Sequence, residues 1–393
     1  MALLEEQADR TVGLIEEEMR APDVLAMTKD RCRSMIDTIR GQASDIRALV
    51  EPLLPGDASM GPPDPPAEDV PAPFEYLHNL YRDWGWPAEP DGENERMLAS
   101  VDKVLDGQPL ERTLVLGTGA CRLAYDLHRR DPTAETIVVD IDPVLFAAAH
   151  RVIRGGRVSI REANSEIDEV GHVGKEWELM ARDGPVDGDR FHFILADGLE
   201  PPLAPDSFDT VVTPWFIDLV PDDLRDMLST IHRLLRPKGR WLNLGPLRYT
   251  PDTPVAHRFT REEIFTLAER AGFRMGKWQV ESVPYLVSKL NGRGKIESVL
   301  AFGATKPGTP PNDIVTETDP PAWLMFHHLP VPARTARTLP QQKTPLTEIV
   351  VPRDRRDPQP QQSGRTGGDT SRRLRPFHDP DPRSGPPLPR RPT

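Results

Sequence analysis

The sequence predicts an α/β fold: a doubly wound seven-stranded sheet with a terminal antiparallel hairpin, a helical N-terminal extension and a disordered C-terminal tail. Three observations carry that expectation. Between about Phe74 and Lys306, short β-rich runs alternate with helical patterns, as strand–helix–strand units do. The last two β-rich runs follow each other with no helix between them, as antiparallel neighbours would. Proline crowds residues 52–73, and about 19 of the 44 prolines fall in residues 307–393, where no core can be built. These shifts divide the chain into a helical extension (1–51), a Pro-rich linker (52–73), a globular domain (74–306) and a Pro-rich tail (307–393).

The elements follow in order. Residues 23–50 read as a helix, with Leu25, Cys32, Ile39 and Ile46 spaced by seven and Met35 and Leu49 between them. That stripe is too short for a coiled coil and is expected to pack on the main domain. The first strand, Thr113–Leu116, ends in a glycine turn and feeds a helix at Arg122–Arg129. The second, Thr136–Val139, ends in acid. Residues 155–190 interrupt the pattern; they are read as a lid, with Trp177 and Met180 either facing a ligand or serving as packing. Phe191–Ala196, Thr210–Thr213 and Arg240–Leu244 are the next strands, with an amphipathic helix Asp222–Leu235 before the last of them. Thr260 opens helix Arg261–Ala271 with Glu263 three residues on, a capping box, and Gly272 ends it. Lys277–Val283 and Ser298–Ala304 form the hairpin. In the tail, Trp323–Phe326 is an apolar knot able to dock on the body, and Arg372, Arg373 and Arg375 suit a solvated segment or a partner site.

Composition narrows the function. A net charge of −12 disfavours nucleic acid as a partner of the body. The two cysteines, Cys32 and Cys121, cannot make a disulfide framework and suit a reducing cytoplasm. The acidic start, MALLEEQADR, is unlike a signal peptide, and no long apolar run follows, so a soluble cytoplasmic protein without membrane contact is expected. No His/Cys/Asp cluster has metal-ligand spacing.

Candidate chemistry collects at the strand ends. Gly117-Thr118-Gly119 lets the backbone turn sharply before a helix N-terminus that favours negative charge, although a plain tight turn would look the same. Arg122 stands where a dinucleotide fold would want a third glycine, which argues against NAD. Asp140 ends the second strand about 20 residues beyond the loop, where a carboxylate can accept both ribose hydroxyls of an adenosine cofactor. Asp142 reads better as the cap of the helix beginning near Pro143. Asp197 can meet an adenine amino group, or simply form an Asp-Gly turn. Asp218 follows two aromatics at the end of the fourth strand and can face a substrate or cap the next helix. Asn243–Tyr249 places Asn in a strand and Gly-Pro after it, an odd profile for a surface turn; Tyr249 is a substrate wall or ordinary packing.

Here the chain resembles the carnosine N-methyltransferase-like family of class I S-adenosylmethionine-dependent methyltransferases. The likeness rests on Asn-Leu-Gly-Pro-Leu-Arg-Tyr at 243–249, Trp-Phe-Ile-Asp at 215–218, the glycine loop with Arg-Leu-Ala-Tyr at 117–125, Arg82-Asp83-Trp84, and Glu95-Arg96. It covers about residues 75–305 and implies a Rossmann-like methyltransferase sheet. It implies cofactor contacts from Arg96, Gly117, Gly119, Arg122, Asp140 and Asp197, with S-adenosyl-L-methionine as cofactor. Catalytic or substrate contacts are implied for Asp218, Tyr249 and Tyr285, and the acceptor is a small nitrogen-bearing molecule, imidazole or peptide-like. The chain departs from the family pattern at three places. Thr250 replaces a histidine that binds and deprotonates the acceptor imidazole, with His257 nearby. Cys121 replaces the third loop glycine, and Val-Asp-Ile-Asp replaces Asn-Glu. Two rival readings remain: a methyltransferase for another small molecule or peptide in secondary metabolism, and a non-catalytic cofactor-binding protein whose tail recruits partners.

Overall fold

The computed structural model describes residues 2–53, 76–87, 92–164, 169–186, 188–219, 224–251, 253–288 and 294–308. In chain order the elements are α1 (Ala2–Glu18), α2 (Ala26–Val50), α3 (Leu77–Leu80), α4 (Glu93–Leu105), β1 (Thr113–Leu116), α5 (Arg122–Arg130), β2 (Thr136–Asp140), α6 (Pro143–Ile153), β3 (Val158–Ala163), β4 (Gly174–Leu179), β5 (Phe191–Leu195), β6 (Phe208–Pro214), α7 (Leu224–Leu234), β7 (Leu235–Gly245), α8 (Arg261–Arg270), β8 (Arg274–Tyr285) and β9 (Lys295–Thr305). A single π-helical turn, Tyr81–Gly85, continues α3.

Seven strands form one sheet in the order β5-β2-β1-β6-β7-β9-β8. The first five are parallel, and β9 runs antiparallel to both β7 and β8. The doubly wound Rossmann-like sheet and its terminal hairpin are therefore as the sequence predicts. Successive strand residues alternate between faces. Val115, Val138, Val212 and Leu242 pack with α4, α5 and α6 on one side, while Leu114, Ile137, Val211 and Trp241 pack with α7 and α8 on the other. Local signals hold as well. Asp142 caps α6 by accepting from the N–H groups of Val144 and Leu145 at 2.8 and 3.1 Å. Thr260 and Glu263 make the reciprocal capping box of α8.

Residues 155–190 differ from a lid. Their described residues include the two-stranded antiparallel sheet β3–β4, with Ser159, Lys175, Glu176 and Glu178 exposed. This hairpin is bolted to α2: the Arg161 carbonyl accepts from Gln42 Nε2 and Tyr81 Oη, and the Arg161 N–H donates to Asp45. Trp177 donates its indole N–H to the buried Glu162 carboxylate at 2.6 Å, and Trp86 donates to the same oxygen at 3.1 Å. Trp177 is thus a packing residue. Helix α2 buries Ile36, Ile39, Gln42, Ile46, Leu49 and Val50, whereas Leu25 is exposed. Helix α1 packs Ala8 and Val12 against Ile36 and Ile39. Among the described residues no helix is long and apolar enough to cross a membrane. Most of the expected linker, the docking knot and the arginine-bearing tail lie outside the described residues.

Candidate active site

Strand β1 pairs with β2 on one side and β6 on the other, so the chain leaves it in opposite directions and a crevice opens beyond the C-terminal ends of β1 and β6. The Gly117–Gly119 loop follows β1, Trp215–Asp218 follows β6, Asp140 ends β2 and Asp197 follows β5. The topology therefore brings these candidates to one edge of the sheet.

In the loop, Gly117 and Gly119 have φ of 65° and 57°. A Cβ at 117 would run into the Phe216 ring, and one at 198 would lie 2.9 Å from the same ring. Phe216 thus spans the crevice from the glycine loop to the turn after β5, and glycine is required where it passes. A Cβ at 119 would meet nothing within 4 Å, so that part of the loop borders open space. Its N–H donates to Asp140 Oδ2 at 2.6 Å, and the Asp142 N–H donates to Oδ1 at 2.9 Å. Burial pushes the Asp140 carboxyl up to about 6, against the pull of these backbone donors. Asp197 is exposed, and its Oδ1 accepts from the Leu199 N–H at 2.8 Å; the turn exists, and it uses one carboxylate oxygen.

Cys121, the departure from the third glycine, also adopts a left-handed conformation, with φ of 65°. Its side chain is fully buried, so packing offsets a backbone preference that glycine would satisfy without strain. The loop is braced from outside by the Arg82-Asp83-Trp84 turn. Trp84 Nε1 donates to the Ala120 carbonyl at 2.8 Å, and Arg122 Nη1 donates to the Asp83 carbonyl at 2.9 Å. Arg122 Nε also reaches both oxygens of Asp126 at 2.8 and 3.0 Å. The Arg122 guanidinium therefore holds protein to protein. Arg96 is directed to Glu281 on β8, 3.3 Å away.

The other half of the crevice is built by the Asn243–Tyr249 segment. Asn243 sits opposite Thr213 in the β6–β7 register, its amide 3.0 Å from the Thr213 hydroxyl, which also accepts from Trp241 Nε1. A polar residue in a buried strand is thereby satisfied. Gly245 lets the chain pass Trp215, since a Cβ there would stand 3.0 Å from the Trp215 Cα. Trp215 takes a φ of 47°, which turns the chain so that Asp218 points inward. Asp218 is 4% exposed. Its Oδ2 accepts from the Arg248 N–H at 3.1 Å, while its buried Oδ1 has no partner. Burial raises this carboxyl to about 6. Tyr285 stacks on Trp215 with ring centres 5.8 Å apart, and the Arg82 guanidinium lies over Tyr285. Tyr249 donates its hydroxyl to the Phe259 carbonyl at 3.1 Å and lines a cleft of about 500 Å³ with Leu247, Arg248, Arg258, Phe259 and Thr260. Its ring packs on the α7/α8 side of the sheet, whereas Trp215 packs on the other.

Thr250 bonds Thr253 at 3.0 Å in a local turn, and His257 stacks on Phe259. The sequence shows Phe216 only as part of the 215–218 motif and assigns Glu297 no role. Glu297 is buried and takes the Arg248 guanidinium through both oxygens at 3.0 and 3.2 Å. A glutamate at an inward position of β9 was the available signal.

Residues 185–290 match the family profile described as carnosine N-methyltransferase. A carnosine N-methyltransferase of Drosophila melanogaster is 42% identical over 60 residues, 15% of this chain and 13% of that protein; the matched stretch is thus a small part of the relative's length. The resemblance to the carnosine N-methyltransferase-like family is borne out over these segments. Among solved structures, the [4+2]-cyclase SpnF is 12% identical, with a TM-score of 0.40 and coverage of 60% of this chain and 93% of that one. A SAM-dependent methyltransferase from Methanosarcina mazei is 15% identical, with a TM-score of 0.36 and coverage of 51% and 95%. The N-methyltransferase NodS from Bradyrhizobium japonicum is 15% identical, with a TM-score of 0.35 and coverage of 55% and 96%.

Proposed function

We propose that this chain, carnosine N-methyltransferase-like over residues 185–290, is an S-adenosylmethionine-dependent methyltransferase acting on a small nitrogen-bearing acceptor. The observation that carries the reading is the buried Asp218 carboxylate. It has an unpartnered oxygen beyond the end of β6, across the switch point from a glycine loop that borders open space.

The residues present fit the cofactor. The left-handed glycines keep the loop free of side chains, and the α5 N-terminus behind it favours a carboxylate. Asp140, at the end of β2, would accept the ribose hydroxyls, and Asp197, after β5, would meet the adenine amino group. S-adenosylmethionine, when bound, supplies an electrophilic methyl on a sulfonium. The chain's part is to place a nitrogen lone pair in line with it and to exclude water. Asp218 accepts an N–H from the acceptor. On an imidazole this fixes the tautomer and leaves the other nitrogen's lone pair available. Trp215 and Tyr285 wall the pocket on one side; the Tyr249 ring borders it on the other, and its hydroxyl anchors the segment to Phe259.

Incubation with labelled cofactor and a panel of imidazole and amine compounds tests the reading. Label transfer to an acceptor is expected, with a large loss in Asp218→Asn. Cofactor binding with no transfer to any acceptor would favour the non-catalytic alternative.

A further inference from the structure

We propose that Glu297 forms a subsite for a cationic ammonium group of an acceptor whose ring N–H goes to Asp218, with the Arg248 guanidinium as the displaceable stand-in for that ammonium. The inference rests on the methyltransferase reading and adds a property of the acceptor to it.

Strand β9 begins against its own pattern. Ile296 is 67% exposed while Glu297 beside it is 4% exposed, on the inward-facing row that continues with Val299. A sheet that turns isoleucine out and glutamate in has a local conflict of the kind that marks functional positions. A buried carboxylate must be paired, and its partner here is unequal. The Arg248 side chain is 61% exposed against 5% for Glu297. The guanidinium lies on the open side of the pair, so an incoming cation can take its place on Glu297 without leaving the carboxylate unpaired. The Arg248 N–H is already on Asp218, so moving the side chain leaves the backbone in place.

Two buried carboxylates meet here, Glu297 and Asp218. Asp218 and Tyr285 both feel the field of Glu297. Arg248 serves both carboxylates, its guanidinium on Glu297 and its backbone N–H on Asp218, and Asp218 Oδ1 still has no partner. An acceptor bearing an ammonium a few bonds from its nucleophilic ring supplies what is missing: one N–H for Asp218 and one positive charge for Glu297. The stacked Trp215 and Tyr285 rings add faces that attract cations. The competing account is that Glu297 merely pins the Asn243–Tyr249 segment to the hairpin through Arg248.

Calorimetry on protein loaded with S-adenosylhomocysteine separates the two, using histamine and 4-methylimidazole as probes with the same ring, one carrying an ammonium arm. Histamine is expected to bind about tenfold or more tightly, the scale of one hydrogen bond between charged groups. Glu297→Gln should bring the ratio near one, Glu297→Asp should keep part of it, and Arg248→Met should preserve or raise it. A ratio near one in the unmodified protein, or binding of neither probe, overturns the proposal without reference to any variant. Equal loss of the ratio in Glu297→Gln and Arg248→Met also overturns it and leaves the brace. Failure to bind S-adenosylhomocysteine would instead sink the methyltransferase reading beneath it.

Discussion

Replacing Asp218 by asparagine should stabilise the protein while removing acceptor methylation. Burial lifts this carboxyl from an ordinary 3.8 to about 6, and each pKa unit corresponds to about 1.4 kcal/mol, so holding it ionised at pH 8 costs about 3 kcal/mol. Because the folded value is raised, the protonated group's contribution to stability is whole below about pH 4 and is lost as pH rises through about 6. Asparagine never ionises and keeps that contribution. Its carbonyl can still accept from the Arg248 N–H, while its NH2 group takes the place of the unpartnered oxygen, at a cost of about 1 kcal/mol for a buried donor without a partner. The net gain is about 2 kcal/mol at pH 8, a rise in melting temperature of roughly 5 °C for a domain of this size. Near pH 4 the gain should vanish. Thermal denaturation of both proteins at pH 4 and pH 8 measures this. A variant that is less stable at pH 8, or offset equally at both pH values, would refute the reasoning.

Other consequences are as concrete. Acceptor kcat/KM should fall as pH drops through about 6, because only ionised Asp218 accepts the acceptor N–H; a profile flat from pH 5 to 8 contradicts this. Gly117→Ala should abolish cofactor binding, since its Cβ meets Phe216 and φ is left-handed, at a strain of about 1–2 kcal/mol before any clash. Calorimetry should show partial recovery when Phe216→Ala is added. Cys121→Gly should change stability by less than about 1 kcal/mol, because relief of a φ of 65° offsets lost packing, whereas the β-branched Cys121→Val should be clearly destabilising in denaturant titrations. Trp84→Phe removes the indole bond to the Ala120 carbonyl, worth about 1 kcal/mol, and should weaken cofactor binding severalfold.

What the sequence disclosed depended on whether the signal was local. Strand β1 and the caps at Asp142 and Thr260 were legible because hydrophobic runs and capping side chains act within a few residues. The β3–β4 hairpin was not, because its strands are polar on one face and find their apolar partners on α2 and the Tyr81–Gly85 turn, far away in sequence. Helix α1 buries Leu4, Ala8 and Val12, a stripe too thin to stand out from its charges. In the site, the strand-end acids Asp140, Asp197 and Asp218 were visible because fold topology places strand ends together. The duties of Arg122 and Arg96 were not, since a guanidinium's partner is set by tertiary packing: here Asp126 and Asp83 for one, Glu281 for the other. The role of Phe216 was not legible, because a ring crossing two glycines is a relation among three separated segments.

The central claim is that the ends of β1, β2 and β5 hold an adenosine cofactor. Titration calorimetry with S-adenosylmethionine, on the unmodified protein and on Asp140→Ala, tests it most directly. The account predicts one site at sub-millimolar concentration and a loss of tenfold or more in the variant, the scale expected for removing hydrogen bonds to a charged group. No heat of binding in the unmodified protein, or equal affinity in the two, would contradict it.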